Sequence, residues 1–375
     1  MAKSFDLVDP LKGISCHAWN SDGSQIAVCP NDNTLLIYGN CKGTELSSWK
    51  LLHTLSEHDL LISSLDWSSV TNQIVTCSHD RNAFVWKYDD AEDQWKPTLV
   101  ILRIDRAALD VKWSPDGKKF AVASGAKCVP VCYFEPEHDW WVAKMIKRHK
   151  STVMKVAWHP NSQLLATGSS DFKCRVFSAF IRQVDGVPDS DNFAQKAFGE
   201  DCWEGGGYGW VTSCAWSPSG NILAFTGHDS SVQFVDFTNQ GETAEAASIR
   251  FSHLPIETCM FLSENSFVGV GHEKNPLLFT KKDEEWSFQR KLEEKKEEQK
   301  EKKASSEVQR ARALFMSKTT RGQDAVKKSD ELLTTHQTSI NCIQRLNADT
   351  VTTSGSDGKV VFWQLLPAIF EGLKC

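Results

Sequence analysis

Two stretches of the chain each contain a histidine, a threonine, an aspartate and a tryptophan in the same order. The first set is His58, Thr76, Asp80 and Trp86, and the second is His336, Thr353, Asp357 and Trp363. Hydroxyl, imidazole and carboxylate groups are the components of a nucleophilic triad, in which the histidine takes the proton of the attacking hydroxyl. A third set has phenylalanine in place of tryptophan: His149, Thr167, Asp171 and Phe177. Because an active site is normally unique, this recurrence favours a structural role for all three sets.

Other groups that could do chemistry lack the spacing that the chemistry needs. His228-Asp229 and His272-Glu273 are neither HExxH nor paired-cysteine metal motifs, and the glycine run at 205–209 lacks the Lys-Ser/Thr of a P-loop. The twelve cysteines include no CxxC pair, and several alternate with apolar residues, as expected of reduced, buried thiols. The sequence therefore predicts no catalytic residue, no metal site and no cofactor.

The elements that position these residues recur along the chain. Seven segments align on one position: Trp19, Trp67, Trp113, Trp158, Trp216, Phe261 and Arg345. The successive spacings are 48, 46, 45, 58, 45 and 84 residues, and most are close to the roughly 40–45 residues of one propeller blade. An acidic residue follows 12 or 13 positions later in six segments, whereas the third segment has Ala126 there.

Each segment contains short alternating strands separated by turns that are rich in Pro, Asn, Asp and Gly. This is the WD-repeat pattern, in which the histidine, hydroxyl, aspartate and tryptophan form a buried hydrogen-bonded tetrad. The fold class predicted is all-β: one seven-bladed WD40 β-propeller over residues 1–375, with a partly helical insertion before the last blade. The last blade lacks room for a fourth strand, so we expect residues 3–9 to provide it and to close the ring.

Two insertions explain the two longest spacings. Residues 182–208 are rich in Asp, Gly and Asn and are predicted to form a surface loop. Residues 283–335 begin with a charged run and then show helical apolar spacing, flanked by basic residues. A partner-binding helix is predicted in this second insertion, with these contact residues: Val308, Ala311, Arg312, Leu314, Phe315 and Met316. The alternatives are that this helix folds back on its own blade, or that the segment is a linker with chance periodicity.

Composition and charge limit the class of partner. The 375 residues carry a formal net charge of −6, and the pI is about 6.0, which argues against nucleic acid or an anionic membrane as the main partner. No apolar run approaches the roughly 18 residues of a membrane span, and the N-terminus lacks the apolar core of a signal peptide. We therefore expect a cytoplasmic protein without membrane insertion.

Several long stretches resemble the WD-repeat subunit of the actin-related protein 2/3 complex. They are GISCHAWNSDGSQIAVCPNDNTLLIY at 13–38, residues 95–147, and WHPNSQLLATGSSDFKCRVFSAFI at 158–181. The resemblance implies a non-enzymatic scaffold subunit of a hetero-oligomer that nucleates branched actin filaments at the cell cortex. It also implies three kinds of partner: the other subunits, the actin filament and nucleation-promoting factors.

Two other functions remain open from the sequence. One is a WD40 adaptor of another assembly, such as the substrate receptor of a ubiquitin ligase. The other is a propeller hydrolase, which needs a convergent polar cluster at the central channel outside the tetrads. The sequence offers no candidate for such a cluster.

Overall fold

The computed structural model describes residues 2–8, 12–41, 48–188, 196–238, 243–293 and 334–365. Within these ranges, β-strands form seven four-stranded antiparallel sheets, and the one α-helix is α1 (Arg182–Asp185). No helix in this part of the chain is long and apolar enough to cross a lipid bilayer. The predicted seven-bladed propeller is confirmed.

Each sheet is one blade, and its four strands run in order from the innermost to the outermost. Blade 1 contains β2 (Cys16–Trp19), β3 (Ile26–Cys29), β4 (Leu35–Gly39) and β5 (Lys50–Leu55). Blade 2 contains β6 (Ile62–Trp67), β7 (Ile74–Ser78), β8 (Asn82–Asp89) and β9 (Gln94–Ile101). Blade 3 contains β10 (Ala108–Trp113), β11 (Lys119–Ser124), β12 (Val129–Glu135) and β13 (Trp140–Ile146).

The remaining blades follow the same order. Blade 4 contains β14 (Val153–Trp158), β15 (Leu164–Ser169), β16 (Lys173–Ser178) and β17 (Asp201–Gly206). Blade 5 contains β18 (Val211–Trp216), β19 (Ile222–Gly227), β20 (Ser231–Asp236) and β21 (Ala246–Arg250). Blade 6 contains β22 (Ile256–Ser263), β23 (Ser266–Gly271), β24 (Leu277–Lys282) and β25 (Glu285–Lys291). Blade 7 contains β26 (Ile340–Asn347), β27 (Thr350–Gly355), β28 (Lys359–Gln364) and β1 (Ala2–Asp6).

The second strand of every blade is buried along its whole length, because a neighbouring blade covers each of its faces. Apolar clusters therefore lie between consecutive blades, and the cluster that contains Trp158 joins blades 3 and 4. The six aligned aromatic residues lie on the innermost strands and pack into these clusters, as Trp67 and Trp216 do, whereas Arg345 on β26 is exposed. Packing between blades thus accounts for the repeated tryptophans.

The ring is closed by the N-terminal strand. β1 pairs with β28 in antiparallel register, from Ala2 opposite Trp363 to Asp6 opposite Lys359. The ring of Phe5 packs edge-on against Phe362 with centroids 5.2 Å apart. The predicted closure by the N-terminus is confirmed, with the strand at 2–6 instead of 3–9.

The bounds predicted for both insertions require correction. Residues 201–206 are β17, the outer strand of blade 4, although they fall inside the predicted loop 182–208. Residues 285–291 are β25, the outer strand of blade 6, although they fall inside the predicted insertion 283–335. Outer strands have one face in solvent and carry polar residues, so they lack the apolar alternation that marks the inner strands.

The start of the first insertion is also not a free loop. Asp185 at the end of α1 accepts two hydrogen bonds from Lys119 Nζ, both 2.6 Å long, and both side chains are buried. Lys119 Nζ also donates to the carbonyl oxygen of Ala179 and lies 5.4 Å from the ring centroid of Trp158. The excursion is therefore anchored to blade 3 by a buried ion pair.

Antiparallel pairing gives the ring two different faces. The connections that enter each blade lie at the same end as the turns between second and third strands, and we call this end the upper face. In blade 3 the amide of Gly125 donates to the carbonyl of Ala107, and in blade 4 the amide of Ser170 donates to the carbonyl of Thr152. Loops from neighbouring blades therefore share one surface.

Candidate functional site

The predicted tetrad of blade 2 forms a continuous chain of hydrogen bonds. Trp86 Nε1 donates to Thr76 Oγ1 (3.0 Å), which lies 2.9 Å from His58 Nε2. His58 Nδ1 lies 2.7 Å from Asp80 Oδ2. Burial lowers the pKa of His58, which favours the neutral ring, although Asp80 opposes this shift. A neutral ring that donates from Nδ1 and accepts from Thr76 at Nε2 satisfies all four side chains.

The tetrad of blade 7 has the same geometry. Trp363 Nε1 donates to Thr353 Oγ1 (2.8 Å), and this oxygen also lies 2.8 Å from His336 Nε2. The two oxygens of Asp357 lie 3.2 and 3.1 Å from His336 Nδ1. Burial opposes the charge of Asp357, but His336 and two backbone amides outweigh it and lower the pKa of the carboxyl.

Both tetrads contain the hydroxyl–imidazole–carboxylate order of a catalytic triad, but the threonine hydroxyl is inaccessible to a substrate. Thr76 and Thr353 are both fully buried, and an indole N–H already occupies the oxygen of each. A nucleophile must reach a substrate carbonyl, whereas among the described residues these two oxygens hydrogen-bond only to the histidine and the tryptophan of their own tetrad. The geometry supports a role in fixing the turns at the upper face.

The third predicted set is not connected in the same way, and this expectation requires correction. The guanidinium of Arg175 lies between the groups: its Nη1 donates to Asp171 at 3.0 and 2.8 Å. Thr167 Oγ1 donates to the carbonyl of Arg175 at 3.4 Å instead of to His149. Phe177 has no N–H to offer, and His149 Nε2 is buried without a hydrogen-bond partner. Burial and the charge of Arg175 lower the pKa of His149 to about 4.

In blade 3 all four tetrad positions are apolar. Ile104, Val122, Ala126 and Cys132 stand where blade 2 has histidine, threonine, aspartate and tryptophan. Val122 and Cys132 are fully buried, and Ile104 packs on the same cluster. Replacing every member at once leaves no orphaned donor or acceptor, which explains how this degenerate blade tolerates the loss.

A further buried network, which the sequence analysis missed, joins blades 1 and 7. His17 Nδ1 lies 2.8 Å from Ser354 Oγ, and His17 Nε2 lies 2.9 Å from Thr352 Oγ1. Trp19 Nε1 also donates to Thr352 Oγ1, at 2.9 Å. Burial lowers the pKa of His17 to about 3, and the charge of Lys112 adds to the shift. These groups are more than 330 residues apart in sequence, so no local pattern could indicate them.

The innermost strands surround a central cavity of about 300 Å³. One side of its wall is charged, because two ion pairs connect successive blades there. Lys112 Nζ lies 3.3 Å from Asp66 Oδ1 between blades 2 and 3, and Lys155 Nζ lies 3.2 Å from Asp110 Oδ1 between blades 3 and 4. Burial opposes the charge of Lys112, but Asp66 and Asp110 outweigh it and raise its pKa above the usual range.

This cluster is the convergent polar group at the channel that a propeller hydrolase would need, and its bonds point to a structural role. Asp66 Oδ2 accepts the backbone N–H of Trp113, and Asp110 Oδ2 accepts that of Val156. Each carboxylate therefore binds the backbone of the next blade as well as a lysine. In the described ranges, no group of three or more His, Cys, Asp or Glu side chains is arranged to hold a metal ion.

The predicted partner-binding residues lie outside the described residues. They belong to the stretch 294–333, and the set is Val308, Ala311, Arg312, Leu314, Phe315 and Met316. The described chain on either side ends at Glu293 and resumes at Thr334, between β25 and β26. These two flanking residues lie at the upper face, between blades 6 and 7.

Comparison with known proteins gives two results. The family model described as "WD domain, G-beta repeat" matches residues 49–87, 140–178, 203–237 and 327–364. The chain is 44% identical to actin-related protein 2/3 complex subunit 1A of Arabidopsis thaliana over 368 residues, which are 94% of each chain. It is 42% identical to subunit 1A-B of Xenopus laevis, covering 97% of this chain and 98% of the relative. It is 35% identical to subunit 1 of Schizosaccharomyces pombe, covering 93% and 96%.

Proposed function

The chain belongs to the family of actin-related protein 2/3 complex subunit 1, and on this premise we propose that it is a scaffold subunit of that complex. The observation that carries the proposal is the identity of 35–44% over more than nine-tenths of the chain to relatives of that name. Its role is to support nucleation of branched actin filaments within a hetero-oligomer. It acts in the cytoplasm, in the actin cytoskeleton of the cell cortex.

The proposed role is non-catalytic. Two observations support it: the triad-like hydroxyls of Thr76 and Thr353 are sealed, and the channel carboxylates of Asp66 and Asp110 bind backbone amides. Neither set leaves a free nucleophile beside a free general base. Nucleotide chemistry in the complex would belong to the actin-related subunits.

The proposed mechanism is geometric. Seven blades that bury their second strands against one another, and close through β1 and β28, form a ring that resists bending. Such a ring can bind other subunits on its faces and hold them at fixed distances. From the upper face, the segment around Leu314 and Phe315 would reach the actin filament or a nucleation-promoting factor as an amphipathic ligand.

Affinity purification of the tagged chain from its native cells tests the scaffold proposal. We expect recovery of actin-related proteins in stoichiometric amounts. Recovery of cullin-type partners without actin-related proteins would favour the ubiquitin-ligase adaptor instead. The non-catalytic role would be contradicted if the purified chain turned over a substrate and lost this activity when a single residue was mutated.

A paired substitution tests the insertion. Leu314→Asp with Phe315→Asp should abolish binding to actin filaments or activators, measured by cosedimentation of the assembled complex, with the melting temperature nearly unchanged. Gln309→Asp with Ala313→Asp adds the same charge on another side of the predicted helix and should retain binding. A large fall in melting temperature for the first pair alone would show that the segment packs on its own propeller.

A further inference from the structure

The upper face of blades 3 and 4 carries a group of exposed cations, which we call the basic group. Its members are Arg103, Arg106, Lys127, Lys147, Arg148 and Lys150. They come from the connection into blade 3, the turn between β11 and β12, and the connection into blade 4. None of the six has an ion-pair partner among the described residues, although several lysines elsewhere in the ring are paired, such as Lys112, Lys155 and Lys291.

Contacts between the loops place these cations together. Arg106 packs beside Gly125, at the turn that bears Lys127. Burial raises the pKa of the nearby Cys128 thiol, and the charge of Lys147 opposes this shift. Asp105, an exposed carboxylate, lies on the same loop as Arg103 and Arg106. The absence of aspartate at Ala126 contributes to this charge, because blades 2, 4 and 7 have an acidic residue at that turn.

An exposed aromatic group adjoins the cations on the same face. Its members are Phe172 (45% exposed), Tyr208 (94%) and Trp210 (49%). The amide of Gly207 donates to the carbonyl of Phe172, which brings the two loops together. The amide of Lys150 donates to Asp171, the residue before Phe172, so the basic and aromatic groups meet at this turn.

We propose that this part of the upper face binds the surface of an anionic lipid bilayer. Lysine and arginine near an anionic leaflet are attracted to its headgroups, and tyrosine and tryptophan prefer the depth of the headgroups. An acidic peptide would be attracted to the same cations, but a peptide that also covers the exposed aromatic side chains needs a groove with walls. On this face the aromatic side chains lie on loops, and Tyr208 is almost fully exposed, so no walls surround its side chain.

The overall charge of −6 argues against a membrane as the main partner, but it does not prevent a local contact through these loops. Screening at physiological salt acts over about 8 Å, so a bilayer responds to the loops that touch it and not to charges on the lower face. Two of the acidic residues, Asp116 and Asp185, lie on the lower face, and each of them forms an ion pair with a lysine there.

Vesicle cosedimentation of the whole complex that contains this chain tests the proposal. We expect binding to phosphatidylcholine vesicles that include phosphatidylserine, no binding to pure phosphatidylcholine vesicles, and release by added salt. The variant Lys127→Glu, Lys147→Glu, Lys150→Glu should bind at least about tenfold more weakly. Tyr208→Ser should weaken binding by a few-fold and leave the salt dependence unchanged.

The matched control reverses three exposed lysines away from this surface: Lys50→Glu, Lys87→Glu and Lys282→Glu. It should bind like the wild type, and both triple variants should still copurify with the other subunits. Failure of the wild-type complex to bind anionic vesicles would overturn the proposal. Equal loss in both triple variants, or binding of a soluble polyglutamate peptide without binding of vesicles, would also overturn it.

Discussion

At the scale of single residues, the chain shows how one arrangement of polar groups can be kept, altered or removed as a unit. Blades 2 and 7 keep the whole tetrad, with distances of 2.7 to 3.2 Å along the chain of bonds. Blade 3 replaces every member by an apolar residue. Blade 4 has phenylalanine in place of the tryptophan, and Arg175 donates hydrogen bonds to Asp171 where blades 2 and 7 use the histidine. The cost of a buried polar group depends on its partners, so these changes must occur together.

Removal of one tetrad side chain should therefore destabilise the ring by more than the hydrogen bonds it makes, because its buried partners lose a donor or an acceptor. His58→Ala would leave the buried Thr76 hydroxyl without an acceptor for its proton and would remove one donor from Asp80, and we expect a loss of about 2–4 kcal/mol in the free energy of unfolding. Urea denaturation of the isolated chain or the complex measures it. His79→Ala, an exposed histidine three residues from β8, is the matched control and should change little. Equal stability of the two variants would contradict the structural role of the tetrad.

The buried histidine at the ring closure should make stability depend on pH. The pKa of His17 falls from 6.5 to about 3 on folding, so the unfolded chain binds a proton at a pH where the folded ring does not. The part of the folding stability that depends on neutral His17 is fully present above pH 6.5 and is lost as the pH falls toward 3. Between pH 7 and pH 5 this one group should cost about 2 kcal/mol.

Denaturation curves at several pH values measure this slope. His17→Gln should show a shallower dependence than the wild type, because the amide does not titrate. His79→Gln, at an exposed position away from the ring closure, is the control variant. A wild-type slope that survives in His17→Gln would assign the pH dependence to other groups.

At the scale of elements, the outer strands and the first insertion depend on contacts with other blades. β17 and β25 lack a strong apolar pattern and gain their pairing from a third strand that is already buried. The helix α1 has only four residues, and none of them is buried as a whole residue, so the helix is too short to be stable alone. The Lys119–Asp185 pair, 66 residues apart, holds it in place.

Breaking that ion pair should be costly, whereas removing both charges should not. Asp185→Ala leaves the ammonium of Lys119 buried, and we expect a loss of about 3–5 kcal/mol. Lys119→Met with Asp185→Ala removes the unpaired charge and should recover part of this loss. A double-mutant cycle by urea denaturation gives the coupling energy, with Lys118→Met, exposed and on the same turn, as the control. Additive effects would show that the pair does not anchor the insertion.

At the scale of the whole molecule, ring closure joins the two ends of the repeat array. β1 supplies the outer strand of blade 7, and its Phe5 lies 5.6 Å from the ring of Trp49 in blade 1 and 5.2 Å from Phe362. We expect cooperative unfolding of all seven blades to depend on this contact, because an open ring has two uncovered blade surfaces.

Phe5→Ala should therefore lower the stability of the entire ring. We expect a loss of about 2–4 kcal/mol and a broader thermal transition, measured by calorimetry. Lys3→Ala lies on the same strand with its side chain exposed, and it should unfold like the wild type. A sharp, unshifted transition for Phe5→Ala would show that the ring does not depend on this closure.

The sequence by itself determined the number of blades, the innermost strands, the tetrad positions of blades 2 and 7, and the origin of the closing strand. These features follow a period of about 45 residues and a local alternation of apolar side chains, which can be read along one chain. The tertiary structure decided the outer strands of blades 4 and 6, the Lys119–Asp185 anchor, the channel ion pairs and the basic group of the upper face. Each of these joins residues that are distant in sequence, such as Asp66 with Lys112 or His17 with Thr352. Their proximity is set by the closed ring, and local periodicity carries no information about which side chains meet across it.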